Sequence, residues 1–148
     1  MEIKTIMVVG AGQMGGGIAQ VAAQTGYSVY LNDISQELVD KGLAAISGSL
    51  DRMVKKEKIS ADDKAAVLDR IKPATDLSPA AECDLVVEAA IEKMEIKAEI
   101  FKNLDQTAPS HAILASNTSS LPITAIAAHT RRPDKVIGMH FMNPVPVM

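Results

Sequence analysis

The sequence predicts an α/β protein with a doubly wound, mostly parallel sheet. Short apolar runs alternate along the chain with longer segments in which apolar residues recur at helical spacing. Because helices separate the strands, the strands are expected to pair in parallel, with right-handed crossovers and helices on both faces. The length of 148 residues suits one domain, which we assign to residues 1–148.

Each element is predicted from its local pattern. Strands are predicted at Thr5 to Val9, Ser28 to Asn32, Ile71 to Ala74, Asp84 to Glu88, Ala112 to Ser116 and Val136 to His140. Helices are predicted from Met14 to Thr25, from Ser35 to about Lys58 and from Met94 to Thr107. A further helix is predicted to begin with an N-cap at Ser60 and to run to about Arg70. The segment from about residue 35 to residue 70 is longer than one crossover connection needs, so we expect an inserted helical hairpin there.

Composition excludes several functional classes. A net charge of −3, no Trp, two Tyr and two Phe give no reason to expect nucleic acid as a partner. The single cysteine, Cys83, excludes an internal disulfide and fits a reducing compartment. The apolar start lacks a cationic flank and is interrupted by glycines and glutamines, so it resembles neither a signal peptide nor a membrane span. We expect a soluble, cytoplasmic protein.

A glycine loop follows the first predicted strand. Gly10 permits the tight turn, Gly12 lets backbone amides approach a pyrophosphate, and Gly15 lets the next helix pack closely on the strand. The loop also contains Gln13 and Met14, and the helix that begins there presents its positive end to phosphates. This pattern predicts a Rossmann-like, dinucleotide-binding fold.

Asp33 ends the second predicted strand, where a carboxylate can accept hydrogen bonds from the adenosine ribose hydroxyls. A carboxylate there would repel a 2′-phosphate, so NAD is favoured over NADP as the cofactor. The alternative is that Asp33 caps the helix that begins near Ser35.

His140 is predicted at the end of the last strand, on the ligand side of the sheet. A histidine at a strand end is more often structural, but in a nicotinamide-binding fold this one is the best acid/base candidate in the chain. The other two histidines, His111 and His129, have ordinary surface interpretations. Neither tyrosine has a lysine four residues later, which excludes the tyrosine–lysine mechanism of short-chain reductases.

These motifs together resemble the L-3-hydroxyacyl-CoA dehydrogenases, which include bacterial 3-hydroxybutyryl-CoA dehydrogenases. The resemblance covers the whole chain and rests on four runs: Gly10 to Ala19, Asp84 to Ala89, Ala115 to Leu121, and Gly138 to Met148. It implies an NAD-dependent enzyme that interconverts (S)-3-hydroxyacyl-CoA, with 3-hydroxybutyryl-CoA as the expected substrate, and 3-ketoacyl-CoA. No metal is implied.

The resemblance also implies roles for individual residues. His140 is implied as the acid/base, and Ser116 and Asn143 as polar groups that hold the substrate oxygen and the cofactor in register. Glu92 and Lys97 match positions at the ribose and nicotinamide of NAD, with a solvated helix start as the alternative. For the two serines after Thr118, the alternative to a site role is that they cap the next helix.

The hairpin carries the predicted CoA site. Ser49 and Lys56 match family positions that bind the adenosine phosphate end of CoA, and Ser116 also matches a substrate-binding position. A flexible cation serves a phosphate well as a point charge. The alternative is that the basic residues near Lys56 simply complement the helix dipole.

Members of this family continue beyond the position that corresponds to the last residue, Met148. Family members carry a glutamate about a dozen residues after the histidine, where it raises the basicity of the imidazole. A helical domain that forms a homodimer follows it. We therefore expect that this chain lacks the C-terminal helical domain and is poorly active alone. The alternative function is a non-catalytic NAD-binding or crystallin-like module with the same fold.

Overall fold

A computed structural model describes residues 2–141 and 145–146 of the chain. Its six strands form one sheet, in which every pair is parallel and the order is β3-β2-β1-β4-β5-β6. The strands are β1 (Thr5–Val9), β2 (Ser28–Asn32), β3 (Ile71–Ala74), β4 (Leu85–Glu88), β5 (Ile113–Ser116) and β6 (Val136–Gly138). The helices are α1 (Gln13–Thr25), α2 (Gln36–Lys55), α3 (Ala61–Asp69), α4 (Met94–Thr107) and α5 (Ile123–Ala127). The predicted fold class is confirmed.

Alternating residues of each strand face two separate cores. Ile6 and Val8 of β1 pack into a core with the helices α1, α2 and α3, whereas Met7 and Val9 pack into a second core with α4 and α5. This alternation follows from the two-residue period of a strand, and burial on both faces explains the nearly continuous apolar strands. The predicted hairpin, α2 and α3, is therefore part of the first core.

The strand order reverses at β1, which places the ligand edge of the sheet. β2 and β3 extend from one side of β1, and β4, β5 and β6 extend from the other. Val9, Asn32, Glu88 and Ser116 pair at the ends of their strands, so these four ends meet at one edge. In open α/β sheets, ligands bind in the crevice at such a reversal.

Two predicted features differ from the structure. β6 ends at Gly138 rather than at His140, because its partner β5 ends at Ser116, whose carbonyl oxygen accepts the last ladder bond from the Met139 amide (3.0 Å). The short helix α5, whose start was expected at a cap by Ser119 or Ser120, begins instead after Pro122 with no side-chain cap. The alternative in which Ser119 or Ser120 caps that helix is therefore wrong.

The amino ends of the strands, on the opposite side of the sheet from the ligand crevice, have their own polar contacts. The Asp84 carboxylate accepts hydrogen bonds from the Lys4 and Thr5 amides (2.9 and 3.1 Å) and contacts His111 Nε2 at 2.8 Å. The hydrogen bond with His111, followed by the two amides, lowers the pKa of Asp84 to about 2. His111 is exposed, in keeping with its surface interpretation, and its ring contacts the Asp84 carboxylate.

The end of α4 is held by one guanidinium group. Arg132 pairs with the Asp105 carboxylate (Nε to Oδ1, 2.8 Å) and donates to four backbone carbonyl oxygens, those of Asp105, Ala108, Pro109 and Ala112. The two side chains are 11% and 9% exposed. Arg132 thereby satisfies carbonyl groups that a helix end leaves without partners.

Candidate active site

The glycine loop connects β1 to α1, and its glycines have different roles. Gly10 adopts a positive φ of 109°, and a Cβ there would lie 2.6 Å from the Ala89 carbonyl oxygen. A Cβ at Gly15 would overlap the Gly10 carbonyl oxygen, so this position is fixed by helix–strand packing. A Cβ at Gly12 would meet nothing within 4 Å. Packing within the protein therefore does not require Gly12, and the open space beside it fits the close approach of a phosphate.

The amino terminus of α1 opens on the same space. Gly12 is the N-cap residue, no side chain caps the helix, and its first turn contains no acidic residue. A 13-residue helix with uncapped N–H groups attracts anions through these donors and the helix dipole. Gln13 is exposed in this space, whereas Met14 is half-buried and packs against the first core.

Asp33 lies one residue beyond β2 and contacts the glycine loop. Its Oδ2 accepts from the Ala11 amide and its Oδ1 from the Ile34 amide, both at 2.8 Å. A carboxylate has about four acceptor sites, so two bonds leave capacity for ribose hydroxyls. The alternative role is wrong, because the Ser35 side chain caps α2 by accepting from the Leu38 amide.

One cleft of about 890 Å³ joins this loop to the hairpin. Gly12, Gln13 and Asp33 line one part of it, and residues of α2 and the following turn line another. This second part carries the predicted CoA residues Ser49 and Lys56 together with Lys41, Arg52 and Lys58. Three predicted cofactor residues (Gly12, Gln13 and Asp33) and two predicted CoA residues (Ser49 and Lys56) therefore share one cleft, whereas Glu92, Lys97, Ser116 and His140 do not line it. The basic side chains also lie near the carboxyl end of α2, so the dipole explanation stays compatible with their position.

Glu88 is the centre of a buried polar cluster between β4, β5 and α4. Its carboxylate accepts from Ser116 Oγ (2.6 Å), Lys97 Nζ (2.6 Å) and the Ala90 amide (2.7 Å). Glu88 and Ser116 are 0% exposed and Lys97 is 1% exposed. A buried charge is tolerated when it is paired and hydrogen-bonded, as here. The solvated-helix alternative is therefore wrong for Lys97.

Glu92 extends the cluster toward solvent. Its carboxylate accepts from Thr118 Oγ1 (2.6 Å) and the Ser119 amide (3.2 Å), and it lies 3.5 Å from Lys97 Nζ. Burial raises the pKa of Glu92, but these hydrogen bonds and the Lys97 charge outweigh it and lower the pKa below its ordinary value. The cluster thus joins the start of α4 to the loop after β5.

His140 is exposed and lies two residues beyond β6. The backbone is hydrogen-bonded on both sides of it: the Met139 amide donates to the Ser116 carbonyl, and the Phe141 amide donates to Asn117 Oδ1 (2.9 Å). The structure therefore brings the His140 segment next to Ser116. Asn143 lies outside the described residues.

Glu88 and Asn117 are site residues that the sequence analysis did not select. Glu88 ends a strand whose other residues, Leu85 to Val87, are apolar and buried. A charge in such a run must find a buried partner, which is a signal readable from sequence. Asn117 lies within the Ala115 to Leu121 run that carries the resemblance.

Neither a metal-binding cluster nor a membrane-spanning helix is present in the part of the chain that the structure describes. Residues 2–141 and 145–146 contain no cluster of three or more His, Cys, Asp or Glu side chains that could hold a metal ion. No helix within the same residues has the length and apolar character needed to cross a membrane.

Comparisons with known proteins agree with this geometry. The family model described as "3-hydroxyacyl-CoA dehydrogenase, NAD binding domain" matches residues 5–148. A "Probable 3-hydroxybutyryl-CoA dehydrogenase" of Bacillus subtilis is 53% identical over 148 residues, which are 100% of this chain and 52% of that protein. Human mitochondrial hydroxyacyl-coenzyme A dehydrogenase is 46% identical, over 99% of this chain and 48% of its own length.

Solved structures show the same relationship. The crystal structure of (S)-3-hydroxybutyryl-CoA dehydrogenase from Ralstonia eutropha matches with a TM-score of 0.97 at 50% identity, covering 99% of this chain and 52% of that one. The chain spans about half the length of the curated relatives that it matches (52% and 48% in the two above). The chain therefore belongs to the 3-hydroxyacyl-CoA dehydrogenase family and corresponds to that family's NAD-binding domain, whose cofactor is NAD.

Proposed function

We propose that the full-length gene product carrying this sequence is an oxidoreductase that interconverts (S)-3-hydroxyacyl-CoA and 3-ketoacyl-CoA with NAD. The proposed substrate is 3-hydroxybutyryl-CoA, because similar proteins from Bacillus subtilis and Ralstonia eutropha carry that name. The observation that carries the proposal is the single cleft lined both by the glycine loop and by the basic residues of the hairpin. Such a cleft suits a dinucleotide and an acyl-CoA bound side by side.

The cofactor is proposed to lie along the carboxyl edge of β1 and β2. The open space at Gly12 and the uncapped start of α1 suit its pyrophosphate, and the remaining acceptor capacity of Asp33 suits its adenosine ribose. Glu92 and Lys97 are proposed to support the nicotinamide side. Since Lys97 is buried, it acts through Glu92, which is the more exposed member of the pair. NAD supplies the hydride acceptor or donor of the reaction.

His140 is proposed to move the proton. It takes the proton of the 3-hydroxyl as the hydride leaves C3, and in reverse it protonates the oxygen of the 3-ketone. Its exposed position at the ligand edge suits this role. The Ser116 hydroxyl gives its only proton to Glu88, so toward a ligand it can offer only acceptor lone pairs. A donor toward the ketone oxygen is therefore assigned to Asn143 rather than to Ser116.

The CoA end is proposed to lie against the hairpin. Lys56 is exposed and Ser49 is half-buried in the cleft, which suits a charged phosphate and a hydroxyl contact respectively.

The 148-residue chain alone is proposed to be poorly active, because the curated relatives described above are about twice its length. The full-length product is further proposed to be a cytoplasmic homodimer that associates through its C-terminal half; light scattering and cell fractionation test these two points.

The experiment follows NADH oxidation by the full-length gene product at saturating acetoacetyl-CoA. His140→Gln is expected to lower turnover by about 10² to 10⁴, the usual contribution of a general acid/base, and to leave NADH affinity within about twofold. His129→Gln is the matched control and is expected to retain full turnover. Near-wild-type turnover of His140→Gln would remove His140 from the mechanism. An inactive wild type that still binds NADH would favour the non-catalytic module.

A further inference from the structure

We propose that Asn117 is a positioning residue that holds the backbone around His140. The inference rests on the proposed function in one respect, because it takes His140 to be the acid/base. It adds a residue that acts on the histidine without touching substrate or cofactor. The side-chain oxygen of Asn117 replaces a ladder bond that the sheet can no longer provide.

The sheet stops two residues before His140. The last backbone bond of the β5–β6 ladder runs from the Met139 amide to the Ser116 carbonyl (3.0 Å). The next inward-directed amide, that of Phe141, donates to Asn117 Oδ1 at 2.9 Å instead. Because a backbone amide can only donate, the atom of Asn117 that faces it must be the oxygen. His140 is thus held between two hydrogen bonds.

Asn117 is itself fixed to the buried cluster. Its backbone amide donates to the Glu88 carbonyl at 2.8 Å, and the Glu88 carboxylate holds both Ser116 and Lys97. Phe141 packs against the first core. The segment that carries His140 is therefore attached to the backbone of Glu88, whose side chain is fully buried.

The exposure of His140 makes this attachment important. An exposed ring receives little positional restraint from packing, so the backbone on either side largely sets where the imidazole lies. A displacement of about 1 Å from a reactive geometry can cost about 10²-fold in rate. Loss of the Asn117 oxygen should therefore appear in the chemical step more than in cofactor binding.

The test compares two variants of nearly equal size in the full-length gene product. Asn117→Leu removes the acceptor, and Asn117→Asp keeps an oxygen at the same place. Asn117→Leu is expected to lower kcat for acetoacetyl-CoA reduction by about 10- to 100-fold, with KM for NADH within about twofold. Asn117→Asp is expected to keep kcat within about threefold of wild type. His129→Gln, at an exposed position outside the candidate site, is the control and is expected to change neither constant.

A second measurement reads the hydrogen bond directly. Amide exchange of Phe141 is expected to be about tenfold faster in Asn117→Leu than in wild type, and slow again in Asn117→Asp. Far-ultraviolet circular dichroism and the unfolding midpoint show whether each variant is folded. If Asn117→Leu does not fold, Asn117→Ala provides the same comparison.

The outcomes separate this proposal from the proposed function. If His140→Gln is inactive but folded Asn117→Leu or Asn117→Ala retains wild-type kcat, the positioning role is refuted and the proposed function stands. Equal losses in the Leu and Asp variants would also refute it, because the acceptor oxygen would then not matter. If His140→Gln is fully active, both proposals fall together.

Discussion

Gly12 and Gly15 allow the cofactor role of the glycine loop to be separated from its packing role. Both become alanine in the experiment, so the added group is one methyl in each case. At Gly15 that methyl overlaps the Gly10 carbonyl oxygen, and two backbone segments must move apart. At Gly12 it enters open space, and the φ of −72° is one that alanine readily adopts.

The expected magnitudes differ accordingly. Forcing a methyl into a packed site costs about 1 to 3 kcal/mol or more, so Gly15→Ala should lower the midpoint of thermal unfolding by roughly 3 to 10 °C in a chain of this size. Gly12→Ala should change unfolding free energy by at most about 1 kcal/mol, the usual cost of alanine at an N-cap. It should nevertheless weaken NADH binding by at least about tenfold, which corresponds to about 1.4 kcal/mol.

The assay combines thermal unfolding and urea unfolding with calorimetric titration of NADH, all on the 148-residue chain. Gly48→Ala, in the middle of α2 and with only the Arg52 side chain nearby at 3.8 Å, is the control and should bind NADH as wild type does. Wild-type NADH affinity in Gly12→Ala would refute the assignment of the open space to the pyrophosphate. Wild-type stability in Gly15→Ala would refute the packing argument.

Three further predictions concern stability and reactivity. The pKa of Asp84 is lowered to about 2 from an ordinary 3.8, so its contribution to stability is complete above about pH 4 and is lost as the pH falls toward 2. Asp84→Asn should therefore reduce the pH dependence of the unfolding free energy, measured by urea unfolding between pH 2 and 4. An unchanged pH dependence would contradict the assignment. Burial, with the charges of Asp84 and Glu82, raises the pKa of the Cys83 thiol to about 12. A thiol reagent at pH 8 should therefore modify Cys83 only after the chain unfolds, and rapid modification of the folded chain would contradict this prediction. Arg132→Ala removes the counter-charge of the nearly buried Asp105 carboxylate, which then keeps only the hydrogen bond from the Arg131 amide (2.8 Å), and should cost about 3 to 5 kcal/mol. Arg132→Lys should recover only part of this loss, because one ammonium cannot replace the guanidinium fork. A loss below about 1 kcal/mol in Arg132→Ala would contradict this role of Arg132.

Local patterns predicted most of the fold. β1, β2 and α4 match their predicted bounds, because strands buried on both faces and helices with regular apolar spacing carry their own signal. The end of β6 was wrong by two residues, since it is set by where the partner strand stops and not by the sequence of β6 itself. The five-residue helix α5 is too short to produce a periodic pattern.

The resemblance selects residues of the candidate site, but it does not predict the contacts between them. Glu92, Lys97 and Ser116 were selected through the resemblance, and the structure brings them together. Their common partner, Glu88, could not be identified by spacing, because the cluster needs β4, β5 and α4 to be packed against one another before a buried carboxylate meets its donors. The direction of the Ser116 hydroxyl likewise depends on Glu88, which accepts its proton.

The most direct test of the account is the cofactor preference of the chain itself. Asp33 lines the cleft with acceptor capacity remaining for ribose hydroxyls, and a 2′-phosphate would place negative charge against that carboxylate. Calorimetric titration of the 148-residue chain should therefore give at least about tenfold tighter binding of NADH than of NADPH. Asp33→Ala should weaken NADH binding and reduce the difference in affinity between the two cofactors. Equal affinities for NADH and NADPH in the wild-type chain, or no NADH binding at all, would contradict the assignment of this cleft.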